Sequence, residues 1–255
     1  MPTALVTGPA TGIGRAFADK LAREGYDLVL VSRDEARLKE VATELTRLHG
    51  IECEVLAVDL TDADDLARVE ERFRTGPIEV LVNNAGFGQK KPFWANPIEA
   101  EEKQLDLLVR VVLRLTHAAV LPMIERGSGA VINVSSVAGF MQRNVYSAHK
   151  AWVTNFSAGL AVELHAKGVA VMALCPGFVH TEFHDRMGMD KSIIPSFLWL
   201  DANDLVDDAW KDLMRGKPIS IPSRRYKLIV AVTRIIPQAL IARVSTVGLD
   251  GRRRA

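Results

Sequence analysis

Long apolar runs, cysteine, surplus charge and linker sequence are what this chain has least of. It contains no stretch of 18 consecutive apolar residues, and a helix crossing a bilayer needs about that many, so no transmembrane segment is expected. The only cysteines are Cys53 and Cys175. They are too few and too far apart for a disulfide framework or a thiolate metal site. Both fall in apolar, strand-like runs and are expected as buried free thiols, which suits a reducing cytoplasm. The histidines show no metal-ligand spacing either, so no metal site is expected. Lys and Arg total 32 against 31 Asp and Glu, a net charge of +1, which argues against a nucleic-acid binder. Met1-Pro2-Thr3 leads straight into an apolar run, so no secretory leader is expected. With no Gly/Ser linker and no internal repeat, residues 1–255 are expected to form one domain.

What the chain has in quantity is alternation. Hydrophobic residues make up 48% of it and charged residues 25%, ordinary for a globular protein with a substantial core. Apolar runs at 3–7, 27–31, 54–58, 79–82, 130–134 and 169–174 read as strands. Amphipathic stretches at 12–25, 34–49, 62–74, 97–126 and 145–167 read as the helices between them. A helix near 202–215 and a short last strand around Ser220 follow. Strands that are continuously Val, Leu and Ile belong to a parallel sheet covered on both faces. Right-handed crossovers then predict an α/β fold, a single-domain doubly wound Rossmann-type parallel sheet with helices on both faces. Residues 178–200 form the main irregular insertion. They follow the carboxyl end of a strand, where ligands bind in such sheets.

Thr7-Gly8-Pro9-Ala10-Thr11-Gly12-Ile13-Gly14 joins the first strand to the first helix. Gly8 permits a tight turn. Gly12 lets the backbone approach a pyrophosphate, and Gly14 allows close helix–sheet packing. Free N–H groups and the helix dipole favour the phosphate charge. Further on, Tyr146-Ser147-Ala148-His149-Lys150 sets a tyrosine and a lysine four apart, on one side of a helix. A phenol ordinarily titrates near pH ~10. A neighbouring ammonium is expected to lower that value and make a proton donor and acceptor usable near neutrality.

Taken together, the T-G-x-x-x-G-x-G turn, Asp59-Leu60, Asn83-Asn84-Ala85-Gly86, Ser135-Ser136, Tyr146 with Lys150, and Pro176-Gly177 followed by Thr181 resemble the short-chain dehydrogenase/reductase family over residues 3–182. Pro195-Ser196-Phe197 and Arg224-Arg225-Tyr226 carry a narrower likeness to bacterial ketoacyl reductases. The resemblance implies an oxidoreductase interconverting a ketone and a secondary alcohol, with a nicotinamide cofactor carrying the hydride. It makes Ser136 the residue that orients the substrate oxygen, with Ser135 a weaker candidate. Tyr146 becomes the proton donor or acceptor, and Lys150 the residue that lowers the phenol pKa and bonds the nicotinamide ribose. The implied cofactor contacts are Gly8, Thr11, Gly12, Ile13 and Gly14 in the turn, Asp59 and Leu60 by the adenine, and Asn84, Ala85 and Gly86 after the fourth strand. Pro176, Gly177, Val179 and Thr181 lie over the nicotinamide, and Tyr146 and Lys150 serve both roles. Ser32 stands where NAD-preferring relatives carry an acid, and Arg33 follows it. A guanidinium suits a 2′-phosphate in charge and shape, so NADP(H) is expected. Arg15 is a further candidate phosphate contact, with a helix-surface role equally open.

Two departures from the family pattern stand out. Ser136 precedes Tyr146 by ten positions, about three short of the usual spacing, so the substrate loop is short. Leu108 stands where the family carries an asparagine thought to hold a water in a proton relay to the lysine. Leucine neither donates nor accepts a hydrogen bond. The alternative reading is therefore an NADP(H)-binding sensor or scaffold with weak catalysis. Residues 178–200 are apolar enough to form a substrate lid, with His180 and His184 as candidate substrate contacts. The 217–255 extension carries nine Lys/Arg against one acid. Together these segments point to a hydrophobic carbonyl such as a 3-oxoacyl lipid. Residues 224–243 fit either a peripheral contact with an anionic membrane or a helix packed on the domain. The long fourth and fifth helices have apolar faces wide enough for a partner, and the resemblance implies a homodimer or homotetramer. The expected location is the cytoplasm, or the membrane periphery.

Overall fold

The computed structural model describes residues 1–183 and 194–235. Its strands are β1 (Thr3–Thr7), β2 (Asp27–Ser32), β3 (Cys53–Ala57), β4 (Val80–Asn83), β5 (Gly129–Val134), β6 (Val169–Leu174), β7 (Phe178–Val179), β8 (Trp199–Leu200) and β9 (Ile219–Ser220). Its helices are α1 (Gly12–Arg23), α2 (Glu35–His49), α3 (Ala63–Thr75), α4 (Ile98–Leu105), α5 (Val111–Arg126), α6 (Val145–Leu164), α7 (Ala202–Met214) and α8 (Arg224–Ile235). Seven strands pair in parallel in the order β3-β2-β1-β4-β5-β6-β9. The expected doubly wound sheet is therefore present.

Both faces of the sheet are covered. On one, Phe17 and Leu21 of α1, Leu38 and Leu45 of α2, and Leu205 and Trp210 of α7 pack together. On the other, Leu66 and Phe73 of α3, Leu115 and Met123 of α5, and Leu164 of α6 do so. Central strands such as β1 and β4 are buried almost throughout, which is why they read as unbroken apolar runs. At the sheet edge β3 is only partly covered, so Cys53 is half-buried, contrary to expectation, while Cys175 is buried.

Local signals set the helix ends. The Asp34 carboxylate accepts from Arg37 N–H at the start of α2, and Asp62 accepts from Asp64 and Asp65 N–H at the start of α3. Asn144 Oδ1 accepts from Ser147 N–H at 3.0 Å, opening α6 two residues before Tyr146. The short loop before α6 therefore ends in a side-chain cap that fixes where Tyr146 begins to project.

Two features were not read from the sequence, and a third was read only in part. The long helix over Ile98–Arg126 is interrupted by a π turn at Asp106–Arg110, with Leu108 buried inside it. Such turns arise when one residue is inserted into an α-helix. By length and mean hydropathy this helix meets what a bilayer span requires, yet Val111, Leu115, Ala119 and Met123 pack on the sheet instead. The 178–200 segment contributes a two-stranded ribbon, Phe178 opposite Trp199 and Val179 opposite Leu200; residues 184–193, His184 among them, lie outside the described residues. Finally, the start of the 217–255 segment is integral to the domain. β9 completes the sheet beside β6, and Tyr226 and Val230 of α8 are buried against the domain. Of the 224–243 stretch considered for membrane contact, the part in α8 thus packs inward in part, and 236–243 lies outside the described residues.

Leu115 is fully buried between α5 and the sheet. Leu115→Ala should lower unfolding free energy by about 2–5 kcal/mol, read by urea denaturation with the circular-dichroism spectrum of the native state unchanged.

Candidate active site

The carboxyl ends of β1, β4, β5 and β6 converge on one edge of the sheet, and the motifs read from the sequence meet there. A β-carbon on Gly14 would lie 2.1 Å from the Gly8 carbonyl oxygen, and one on Gly12 would lie 2.8 Å from Thr181 Cγ2. The turn is therefore packed backbone on backbone, and Thr181 reaches across it. Thr7 Oγ accepts from Asn84 N–H at 2.9 Å and Ala85 N–H at 3.0 Å. The Asn84 amide donates back to the Thr7 and Gly8 carbonyls at 2.9 and 3.1 Å. Thr7 was not singled out as a site residue, although it directly precedes the glycine. Thr11 stands at the N-terminus of α1 with no side-chain bond into the helix, and Ile13 packs on the core behind it.

The end of the sheet near Ser32 and Asp59, read from the sequence as the adenine end, has two marks of a ligand site. Ser32 Oγ is buried without a hydrogen-bond partner, and buried polar atoms are ordinarily paired. Beside it Arg33 is 70% exposed, with its guanidinium 3.8 Å from Asp59 Oδ2. Asp59 also accepts from Thr61 Oγ at 2.7 Å, and Leu60 is buried. Arg15, for which the sequence offered a phosphate contact or a helix-surface role equally, pairs with Asp19 and Glu44 at 3.1 and 3.0 Å. Arg37 pairs with Glu182, next to Thr181, at 2.8 Å.

At the other end stand Ser136, Tyr146 and Lys150. Ser136 opens a short helical turn, Val137–Phe140, and its hydroxyl accepts from Ala138 N–H at 3.1 Å. The same side chain lies near enough to the Tyr146 phenol to oppose the rise in its pKa, so the shortened loop does not separate the pair. Ser135 points elsewhere. Its hydroxyl donates to the Lys150 carbonyl at 2.7 Å and meets Thr154 Oγ1 at 2.7 Å. Lys150 Nζ donates to the Val134 carbonyl at 2.7 Å and lies 5.7 Å from the centre of the Tyr146 ring. Below them, Asn83 donates to Asn133 and Thr116, and Asn133 to Ser157, tying β4, α5, β5 and α6 together inside the core.

The expected lowering of the phenol pKa is not what this arrangement produces. Burial pushes the Tyr146 phenol above its ordinary value, with the nearby Ser136 hydroxyl opposing. Burial also brings the Lys150 ammonium down to about 8. Loss of water disfavours both charged forms, and it is the largest cause of both shifts. Nearby, Leu108 contributes only packing; a β-carbon on Gly86 would lie 2.9 Å from its Cδ2. Three other buried side chains have an unpartnered atom: Asn83 Oδ1, Glu101 Oε2 and His149 Nδ1. Burial lowers the His149 pKa, which Glu101 opposes and Lys150 reinforces. His180 stacks on Trp199 with ring centres 4.9 Å apart.

The model of the short chain dehydrogenase family matches residues 2–192. A very-long-chain 3-oxoacyl-CoA reductase of Anas platyrhynchos is 35% identical over 205 residues, 76% of this chain and 63% of that protein. The chain therefore spans somewhat under two thirds of that relative's length. A short-chain dehydrogenase from Sphingobium yanoikuyae in complex with NADPH superposes with a TM-score of 0.84 at 35% identity, covering 94% of this chain and 98% of that one. The bulky-bulky ketone specific alcohol dehydrogenase from Comamonas testosteroni gives 0.79 at 32% identity, covering 94% and 96%.

A lysine with a pKa lower in the folded than the unfolded protein binds fewer protons when folded, so its contribution to stability improves as pH rises between those values. For Lys150 that window runs from about 8 to 10.5. Urea denaturation of wild type and Lys150→Met at pH 7.5 and 9.5 should show wild type gaining relative to the variant at the higher pH.

Proposed function

Because the chain belongs to the short-chain dehydrogenase family, we propose that it is an NADP(H)-dependent oxidoreductase interconverting a bulky hydrophobic ketone and its secondary alcohol. The observation that carries this reading is the meeting of Ser136, Tyr146 and Lys150 at the carboxyl end of the sheet, in proton states suited to reduction. The burial that raises the Tyr146 pKa keeps the phenol protonated and able to donate. A Lys150 pKa of about 8 leaves the ammonium mostly charged at neutral pH.

When bound, the nicotinamide cofactor supplies the hydride. The glycine turn, the unpartnered Ser32 hydroxyl and the exposed Arg33 fit such a cofactor. Backbone N–H groups at the start of α1 suit its pyrophosphate, and Ser32 with Arg33 suits a 2′-phosphate. The Ser136 and Tyr146 hydroxyls, close enough for Ser136 to oppose the rise in the phenol pKa, would share the substrate carbonyl oxygen. As charge develops on that oxygen, the phenol proton moves to it. The Lys150 cation then stabilises the phenolate left behind, an attraction strengthened in a site short of water. None of these steps uses a side chain at position 108.

The substrate class is argued from the walls. Phe140, Phe178 and Leu198 form one apolar cluster beside Val137, the residue after Ser136. The Phe183 ring lies 6.1 Å from that of Tyr146. The names of the duck and Comamonas relatives, a very-long-chain 3-oxoacyl-CoA reductase and a bulky-bulky ketone specific enzyme, support the same class. Leu105, Leu113 and Leu121 are exposed along the long helix, which supports assembly as a homodimer.

NADPH oxidation against carbonyls from small ketones to long-chain 3-oxoacyl thioesters tests the proposal. Turnover should favour the bulky apolar members. Tyr146→Phe should lose about 10²–10⁴-fold in kcat while still binding NADPH, followed by its fluorescence. Tight NADPH binding by wild type with no turnover anywhere in the panel would favour a sensor instead. Arg33→Ala should weaken NADPH binding about 10- to 100-fold, the worth of a lost charge-assisted contact, and leave NADH binding little changed.

A further inference from the structure

Tyr226 is nearly as buried as the core, 3% exposed, although it comes from the basic, apolar helix α8. Its hydroxyl donates to the Leu198 carbonyl at 2.6 Å and accepts from Phe178 N–H at 3.0 Å. Its ring covers Gly177 so closely that a β-carbon there would lie 2.0 Å from Cζ. The glycine after Pro176, read from the sequence as a cofactor contact, is thus also the residue that makes room for this ring. The ring and Val230 pack with Val137, and Val137 N–H donates to the Pro176 carbonyl at 3.0 Å. One side chain therefore touches the turn leaving β6, the stretch before β8 and the turn that carries Ser136.

The ribbon it braces is small. β7 and β8 pair through two residues each, and so short a pair has little stability of its own. The Tyr226 hydroxyl satisfies one N–H from the first strand and one carbonyl just before the second. Removing it leaves two part-buried backbone groups without that partner, and the ribbon must shift to find another. The Phe178 ring, 5.6 Å from that of Trp199, would shift with it.

We infer that Tyr226 is a positioning residue that sets substrate size preference, by holding Phe178 and Leu198 as the wall on which a bulky carbonyl substituent rests. The inference rests on the reductase reading above. The hydroxyl of Tyr226 bonds neither Tyr146, Lys150 nor the glycine turn, so its loss leaves proton donation and cofactor binding in place.

The test compares wild type, Tyr226→Phe and Val230→Ala on one bulky and one small ketone, with NADPH affinity measured separately by fluorescence. Tyr226→Phe keeps the ring over Gly177 and removes only the two hydrogen bonds. It should raise KM for the bulky ketone about tenfold, the loss of roughly one to two hydrogen bonds. NADPH affinity, kcat and the small-ketone KM should hold within about twofold. Val230→Ala loosens the same cluster without touching those bonds and should lower Tm while leaving the ratio of the two KM values unchanged. A Tyr226→Phe enzyme with lower Tm but the wild-type KM ratio overturns the inference, as does an equal shift in both variants. Wild type that turns over no ketone overturns the reductase reading itself, and this role with it.

Discussion

The close approach of α1 to the end of β1 is the contact on which the rest of the site depends. Gly14 lies so near the Gly8 carbonyl that no side chain fits between them, and this seats the helix N-terminus directly over the sheet edge. Thr7 then ties the turn to Asn84 and Ala85 at the end of β4. Because the strands are parallel, the ends of β5 and β6 fall on the same edge. Ser136 and Pro176 follow those ends directly. The glycine turn and the group of Ser136, Tyr146 and Lys150 become neighbours through sheet pairing rather than through any bond between them.

Beneath this edge most polar groups are paired, Asn83 Oδ1 being an exception, and their pairing fixes geometry. Asn83, Asn133, Thr116 and Ser157 bond one another across two strands and two helices. Ser135 and Thr154 hold the Lys150 carbonyl, and Val134 holds its ammonium. A buried group with its partners supplied has few alternatives, because each alternative leaves something unpaired. The same exclusion of water sets proton states. It keeps the Tyr146 phenol protonated and brings Lys150 toward neutrality without reaching it at pH 7. In both groups the largest cause of the shift is desolvation.

The substrate end is built differently, from short pieces braced by distant ones. The loop before α6 is brief, but Ser136 is held by its own turn and Asn144 caps the helix. The ribbon beyond Gly177 is brief as well, and its support comes from Tyr226, 48 positions further along the chain. Arg225 adds a bond to the Phe197 carbonyl at 2.5 Å. A basic helix that composition allowed to be a membrane contact is, over its described length, partly a buttress.

The sheet was legible because its strands are covered on both faces and must be apolar without interruption, a pattern that depends on local sequence alone. The glycine turn and the Tyr146–Lys150 pair were legible for a similar reason: a strand-to-helix turn and one turn of helix are short-range geometry. Tertiary structure decided what depends on surroundings. The choice of Ser136 over Ser135 follows from which hydroxyl the end of β5 turns toward Tyr146. The rise in the phenol pKa follows from how much water the fold removes, which no spacing of Tyr and Lys encodes. The engagement of Arg15 by Asp19 and Glu44, the π turn around Leu108 and the seat of Tyr226 on Gly177 all arise from packing between separate elements. Sequence by itself determined the elements and the chemical groups available; only the packed chain decided their partners and charge states, because those are set by contact and by exclusion of water.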